Sequence, residues 1–381
     1  MKRGLCALAI GLGFAISPQL APAATPDQGL QMISIDVEGG GGTLFITPEG
    51  KSLLLDTGNP PGSALVTGKE TADRLADTIR SFGVTKLDYL LTTHYHSDHV
   101  GGFAAFLEKM PVGTLIDHGE NRQPDPPPGS APPAGRGGNA PAAGAPARPR
   151  ITTQGYYELY LKAIAGHKRI IAKPGMSLAI GAMKVTFVMA DAQPLAKPLA
   201  GAGQPNPACE GMPGMANNGG EENARSVSSL ITYGKTRIAA FGDLTWDREK
   251  DLVCPMNRVG KVDVFLASNH GLPQSNSPAL LAALQPIVVI EGNGITKGDD
   301  PERVKTMMES GRVEGFWRLH RNTQHPELDG PSDMIANPVT ELANDGHHNL
   351  RLRILKSGAI TVINERSGFN RTYQAGGASG R

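Results

Sequence analysis

Three imidazoles and a carboxylate fall within six consecutive residues in His94-Tyr95-His96-Ser97-Asp98-His99, just ahead of Gly101-Gly102. Neutral imidazole nitrogens and carboxylate oxygens are borderline ligands suited to zinc, manganese or iron, and four of them on one turn can serve two ions. With 10 His in 381 residues, the pattern arises by chance roughly 3 × 10⁻⁴ times, which marks it as a specific motif and not a polar loop. Two divalent ions about 3.5–4 Å apart and joined by a carboxylate hold a hydroxide at neutral pH. They also polarise the oxygen of an ester, amide or phosphoryl group.

A turn of that kind must be held by rigid elements, and the apolar pattern supplies them. Residues 87–93 read as a buried strand running into the turn, and residues 100–110 as a helix leaving it. Upstream, residues 32–37, 42–47 and 52–56 read as short strands separated by glycines, followed by helical spacing over 67–82. Downstream come a helix over 156–165, a strand over 184–189 and a hairpin of 228–232 with 237–241 across Tyr233-Gly234. A strand over 262–267, a helix over 278–284 and a strand over 287–291 follow, and residues 349–355 and 359–364 alternate with period two. Meander, alternation and hairpins together predict an α/β (α+β) chain with layers of sheet covered by helices.

The HxHxDH pattern at a strand end resembles the hallmark of the metallo-β-lactamase superfamily, and further positions of that family appear in order. Ser52-Leu53-Leu54-Leu55-Asp56-Thr57-Gly58 is similar to its first motif, Phe241-Gly242-Asp243 to its later Gly-Asp motif, and Ser268-Asn269-His270-Gly271 to its final His motif. The resemblance implies a four-layer αββα sandwich with the site on loops at one sheet edge. It implies two divalent ions, Zn or Mn, with His94 and His96 on the first and Asp98, His99 and His270 on the second. Asp243 would bridge them, making Asp98 and Asp243 the catalytic carboxylates, and Asp56 would orient a ligand from behind.

Two departures bear on the reaction. Hydrolytic β-lactamases place another His between the first cluster and the Gly-Asp motif, where this chain has only His118 and His167. It reads instead Asn223-Ala224-Arg225-Ser226-Val227-Ser228, which is similar to the corresponding domain of bacterial competence (DNA-uptake channel) proteins. That places Asn223 and Ser226 behind or beside the ions and favours harder oxygen coordination, hence phosphoester substrates, with lactones or β-lactams as the alternative, or a non-catalytic binding protein on the same scaffold. The Gly-His-Pro motif of the competence branch is absent, so nuclease activity does not carry over. His320, after a strand-like segment, is expected to line the pocket; Lys297 could face a substrate anion; His347-His348 sits in a Gly/Asn turn with no metal partner in view.

Composition bounds the remainder. Lys plus Arg number 37 against 36 Asp plus Glu, so no whole-surface basic field supports nucleic acid as a bulk partner; a small-molecule or phosphoester substrate is expected. Lys2 and Arg3, the apolar residues 4–16 and Ala21-Pro22-Ala23-Ala24 predict a signal peptide over 1–24, cut after Ala23 or Ala24, and a periplasmic or secreted protein with no membrane span left. Cleavage removes two of the 37 positive charges and leaves 35 against 36, a net of −1. The hydrolase domain then spans 25–381, interrupted over 122–150 by a disordered insertion with 9 Pro and 5 Gly. Cys209 and Cys254, 45 positions apart, are expected to pair, a bridge worth roughly 3–4 kcal/mol.

Overall fold

The computed structural model describes Met1 and residues 28–126, 151–212 and 220–376. The expected signal peptide beyond Met1 and most of the expected insertion lie outside the described residues. In chain order come β1 (Leu30–Ser34), β2 (Thr43–Ile46), β3 (Ser52–Leu55), α1 (Thr71–Ser81), β4 (Leu87–Leu91), α2 (Ser97–Val100), α3 (Phe103–Lys109), β5 (Val112–Asp117), α4 (Thr153–Ala163) and β6 (Arg169–Ile171). There follow β7 (Ser177–Ile180), β8 (Met183–Ala190), β9 (Gln193–Pro194), α5 (Gly220–Asn223), β10 (Ser228–Tyr233), β11 (Thr236–Ala240), α6 (Trp246–Val253), β12 (Val264–Leu266), α7 (Pro278–Leu284) and β13 (Val288–Glu291). The chain ends with α8 (Pro301–Met308), β14 (Gly315–His320), β15 (Ile335–Asn337), β16 (Leu350–Ile354), β17 (Ala359–Asn364) and β18 (Asn370–Gln374).

These strands form two sheets. One runs β18-β17-β16-β1-β2-β3-β4-β5-β6; the other runs β15-β14-β13-β12-β11-β10-β8-β7, with β9 paired to β8. The leucines of β3 show why the sheets stack. Leu53 and Leu55 point inward with Phe45 and Leu91 to meet Phe187, Ile231, Ile238 and Val288 of the other sheet. Leu54 points outward onto Leu75 and Ile79 of α1. A strand covered on both faces reads as an unbroken apolar run because neither face meets water. On the far side, Ala239, Phe265 and Val289 pack against Leu252 of α6, Leu280 and Leu284 of α7 and Met307 of α8. Helices, sheet, sheet and helices make the expected αββα sandwich.

The pattern misplaces one element near the motif. The helix expected over 100–110 is two helices, and α2 starts at Ser97 so that Asp98 and His99 are helical. Cys209 and Cys254 are disulfide-bonded with Cα atoms 5.8 Å apart. Among the described residues no helix is long and apolar enough to cross a membrane. Phe45 is fully buried between the sheets, so Phe45→Ala should cost about 3–5 kcal/mol through lost burial and a cavity. A denaturant titration would read this as a lower midpoint at unchanged slope.

Candidate metal centre

Strands β3 and β4 run parallel, as do β11, β12 and β13. Their C-terminal ends therefore come out at one edge of the sandwich. Asp56 follows β3, the 94–99 turn follows β4, Asp243 follows β11, and His270 follows β12 on the short turn Ser268–Gly271. Asn269 and His270 hold φ values of 50° and 54°, a left-handed backbone that costs energy in non-glycine residues and clusters at functional sites. The turn is held in place by Asn276, whose Oδ1 accepts from Ser268 N and whose Nδ2 donates to Ser268 O, each at 2.9 Å.

The six side chains expected to gather here do so, in two overlapping sets. Asp98, His99, Asp243 and His270 offer donor atoms within 4.8 Å of one another, as do His94, His96 and Asp243. In the first set His99 Nε2 lies 3.2 Å from His270 Nε2, 3.4 Å from Asp98 Oδ2 and 3.2 Å from Asp243 Oδ1. His270 Nε2 is 3.3 Å from Asp98 Oδ2 and 3.5 Å from Asp243 Oδ1. A tetrahedral ion with bonds of about 2.0–2.1 Å needs ligand atoms roughly 3.3 Å apart, which these separations match. In the second set His94 Nε2 is 3.1 Å from His96 Nδ1 and 3.8 Å from Asp243 Oδ2. The two oxygens of Asp243 thus face different sets.

Each imidazole has its second nitrogen engaged, which fixes the one left facing the centre. His99 Nδ1 donates to Asp56 Oδ2 at 2.8 Å, and His270 Nδ1 to the Gly292 carbonyl at 2.9 Å. His96 Nε2 donates to Gln123 Oε1 at 3.1 Å. Thr93 Oγ1 donates to Asp56 Oδ2 at 2.7 Å and accepts from His94 Nδ1 at 3.0 Å. Asp56 also accepts from Thr93 N at 2.7 Å. Asp56 thus lies where the sequence placed it, hydrogen-bonded to His99 and Thr93, whereas Thr93, Gln123 and the Gly292 carbonyl carry no motif signal.

The other expectations divide. Ser226 stands behind the centre, its Oγ accepting from Asp243 N at 3.2 Å and lying 3.5 Å from His94 Nδ1. Asn223 is buried nearby, its Oδ1 making no hydrogen bond. His320 is not in this centre: it points to Asp36 Oδ1 at 2.8 Å in a separate buried cluster. His118 is likewise structural, donating to Glu222 Oε1 at 2.7 Å, the same oxygen that receives Tyr95 N. Lys297, half-buried, donates to the Asp98 carboxylate and, at 2.6 Å, to the Gly39 carbonyl.

Charge follows from this packing. Burial, and then the neighbouring His99, drive His94 well below the ordinary imidazole range, so it is neutral and ready to ligate. Burial would lower His99 too, but Asp243, Asp98 and Asp56 outweigh it and hold its proton well above that range. Burial would raise Asp98 and Asp243; Lys297 and His99 for the former, and His99 and His270 for the latter, keep both ionised.

Residues 38–161 match the model of the metallo-beta-lactamase superfamily. That similarity covers 124 of the 381 residues. The match takes in Asp56 and the 94–99 turn; Asp243 and His270 lie beyond it and are brought in by the fold. Similar solved structures include the metallo-beta-lactamase fold protein YhfI from Bacillus subtilis, at 12% identity over 76% of this chain and 95% of that one, TM-score 0.40. Another is Tm1679, a metal-dependent hydrolase of the beta-lactamase superfamily, at 11% identity with the same coverages and TM-score. A third is CmlA, a diiron beta-hydroxylase from Streptomyces venezuelae, at 16% identity over 78% of this chain and TM-score 0.39; the chain spans only 53% of it. No curated protein sequence matches the chain.

At this centre, Asp56→Asn would present an amide to the Thr93 hydroxyl and His99 Nδ1 in place of a carboxylate. Metal affinity should fall about 10–100-fold, read by competition with a chromogenic chelator. Because an ion must displace the proton that the surrounding carboxylates hold on His99 above the ordinary imidazole range, apparent affinity should keep rising with pH above neutrality in the same assay.

Proposed function

We propose that the protein is a dinuclear metal-dependent hydrolase in which His94 and His96 hold one ion, Asp98, His99 and His270 hold the other, and Asp243 joins them. The observation that carries this reading is the Asp243 carboxylate, with Oδ1 toward His99 and His270 and Oδ2 toward His94. Two divalent ions there, Zn or Mn, would supply an activated water at neutral pH and draw charge from the oxygen of the bond to be cleaved. The chain's own groups do the rest. Thr93, Asp56, Gln123 and Gly292 fix which imidazole nitrogens face inward, and Ser226 steadies Asp243 through its backbone N–H.

For the substrate we propose a phosphoester. The His94 set has three donors against four in its neighbour, leaving a face for a hard substrate oxygen. Lys297 places an ammonium against Asp98 at the same centre, suited to an anionic group. Ser226 behind Asp243 and His94 is also what supports a competence-type affinity within the superfamily. The test is hydrolysis of bis-nitrophenyl phosphate with Mn and Zn in parallel, alongside metal analysis. Activity and about two ions held by these six residues should be present in the native protein, with the activity and those ions lost in His96→Ala and Asp243→Ala. A protein that opened a lactone or cephalosporin and left the phosphodiester intact would reverse the substrate assignment, and one with no metal at these residues would sink the enzyme reading.

We further propose that the protein is exported, supported by the Cys209–Cys254 disulfide, a bond that persists in oxidising compartments. Intact mass of the exported form should correspond to a chain beginning at Ala24 or Thr25.

A further inference from the structure

Away from the His/Asp centre lies a second concentration of buried charge. Asp36 and Glu38 follow β1, His320 ends β14, and Asp345 comes from the loop ahead of β16; the side chains of all four are at most 1% exposed. One donor atom from each lies within 4.8 Å of the other three. Two further groups face them. Arg74 Nη1 is 3.5 Å from Asp36 Oδ2 and 3.3 Å from Glu38 Oε1. His347 Nδ1 is 3.2 Å from Asp345 Oδ2, 3.5 Å from Glu38 Oε1 and 3.6 Å from Asp36 Oδ2.

Three ionised carboxylates in so dry a place need three positive charges, and Arg74 supplies one; without more, burial pushes Glu38 up to about 7. The two imidazoles can supply the rest only by staying protonated, and the carboxylates do push His320 up to about 9 and His347 up to about 11. Yet protonation leaves the cluster poorly satisfied. Asp36 Oδ2, Glu38 Oε2 and His320 Nδ1 are buried and have no hydrogen bond. The contacts that should close them are too long: His320 Nε2 to Glu38 Oε2 is 3.7 Å and His320 Nδ1 to Asp345 Oδ2 is 3.9 Å, against roughly 2.7–3.2 Å for a hydrogen bond. Apart from the bond from His320 Nε2 to Asp36 Oδ1 at 2.8 Å, these His320 contacts stand 3.7–3.9 Å apart unbonded, a spacing that an ion between the donors would bridge. Carboxylate oxygens with an imidazole suit manganese or zinc.

We propose that Asp36, Glu38, His320 and Asp345 form a third divalent-cation site, taking manganese or zinc, separate from the His/Asp centre. His347 stands at its edge and Arg74 balances the remaining carboxylate charge. The segment that carries Asp36 and Glu38 runs on to Gly41, where an added Cβ would lie 2.7 Å from both Asp56 Oδ2 and His99 Nδ1. A third ion would therefore clamp the backbone that packs against the orienter of the first pair.

The test is metal counting on the full-length protein saturated with manganese and freed of excess, by elemental analysis and electron paramagnetic resonance. Three ions per chain are expected, falling to two in Asp345→Asn and in Glu38→Gln. A His96→Ala/Asp243→Ala double variant should keep one ion, and its melting temperature should rise with added manganese. If the dinuclear reading alone failed, the native chain would hold one ion and Asp345→Asn none. A native chain that saturates at two, with no ion retained by the double variant, overturns the third site.

Discussion

An imidazole can lend one nitrogen to an ion only if its other nitrogen is held, and the arrangement of this site follows from that constraint. The holders are a carboxylate for His99, a hydroxyl for His94, an amide for His96 and a backbone carbonyl for His270. They come from strand ends and loops of both sheets, so the sandwich must be assembled before the four rings can face one another. Thr93 is the joint of the network, since its hydroxyl passes the Asp56 carboxylate's pull on to His94 while its backbone N–H anchors the same carboxylate. The buried carboxylates are tolerable for the same reason, each lying among cationic or hydrogen-bonding neighbours.

The parts of this architecture legible in the sequence are those with local signatures. The leucines of β3, the Tyr233-Gly234 hairpin and the period-two C-terminal strands were marked by their apolar spacing, and the six centre residues by short motifs whose order the fold respects. What escaped has a physical cause in each case. Gln123 reaches His96 from a loop whose composition reads as the start of a Pro/Gly insertion, and nothing local distinguishes it. His320 looked like a pocket residue because it ends a strand, but β14 lies beyond β13 in the sheet, and its last side chain meets Asp36 after β1 instead of the ions. His347 meets Asp345 two positions before it, but the carboxylates that complete its surroundings, Asp36 and Glu38, lie about 310 positions away in sequence, a distance no spacing argument can cross.

The two ligand sets also divide the labour between the sheets. The 94–99 turn belongs to the first sheet and Asp243 and His270 to the second, so any ion between them is a cross-link across the sandwich as well as a chemical device. That couples occupancy to the packing of Leu53, Leu55 and Phe45 against Ile231 and Ile238, because separating the sheets would pull the donors apart.

The pairing of β1 with β16, Leu30 opposite Ile354, has a consequence for how the molecule comes into being. The first sheet is begun by the earliest strands and finished by the last three, so its central ladder cannot close until nearly the whole polypeptide has left the ribosome. Contacts so far apart in sequence make folding slow and leave an open strand edge exposed while synthesis continues. A chain built this way acquires its first sheet, and with it the edge that carries the 94–99 turn, only after its last strands have been made.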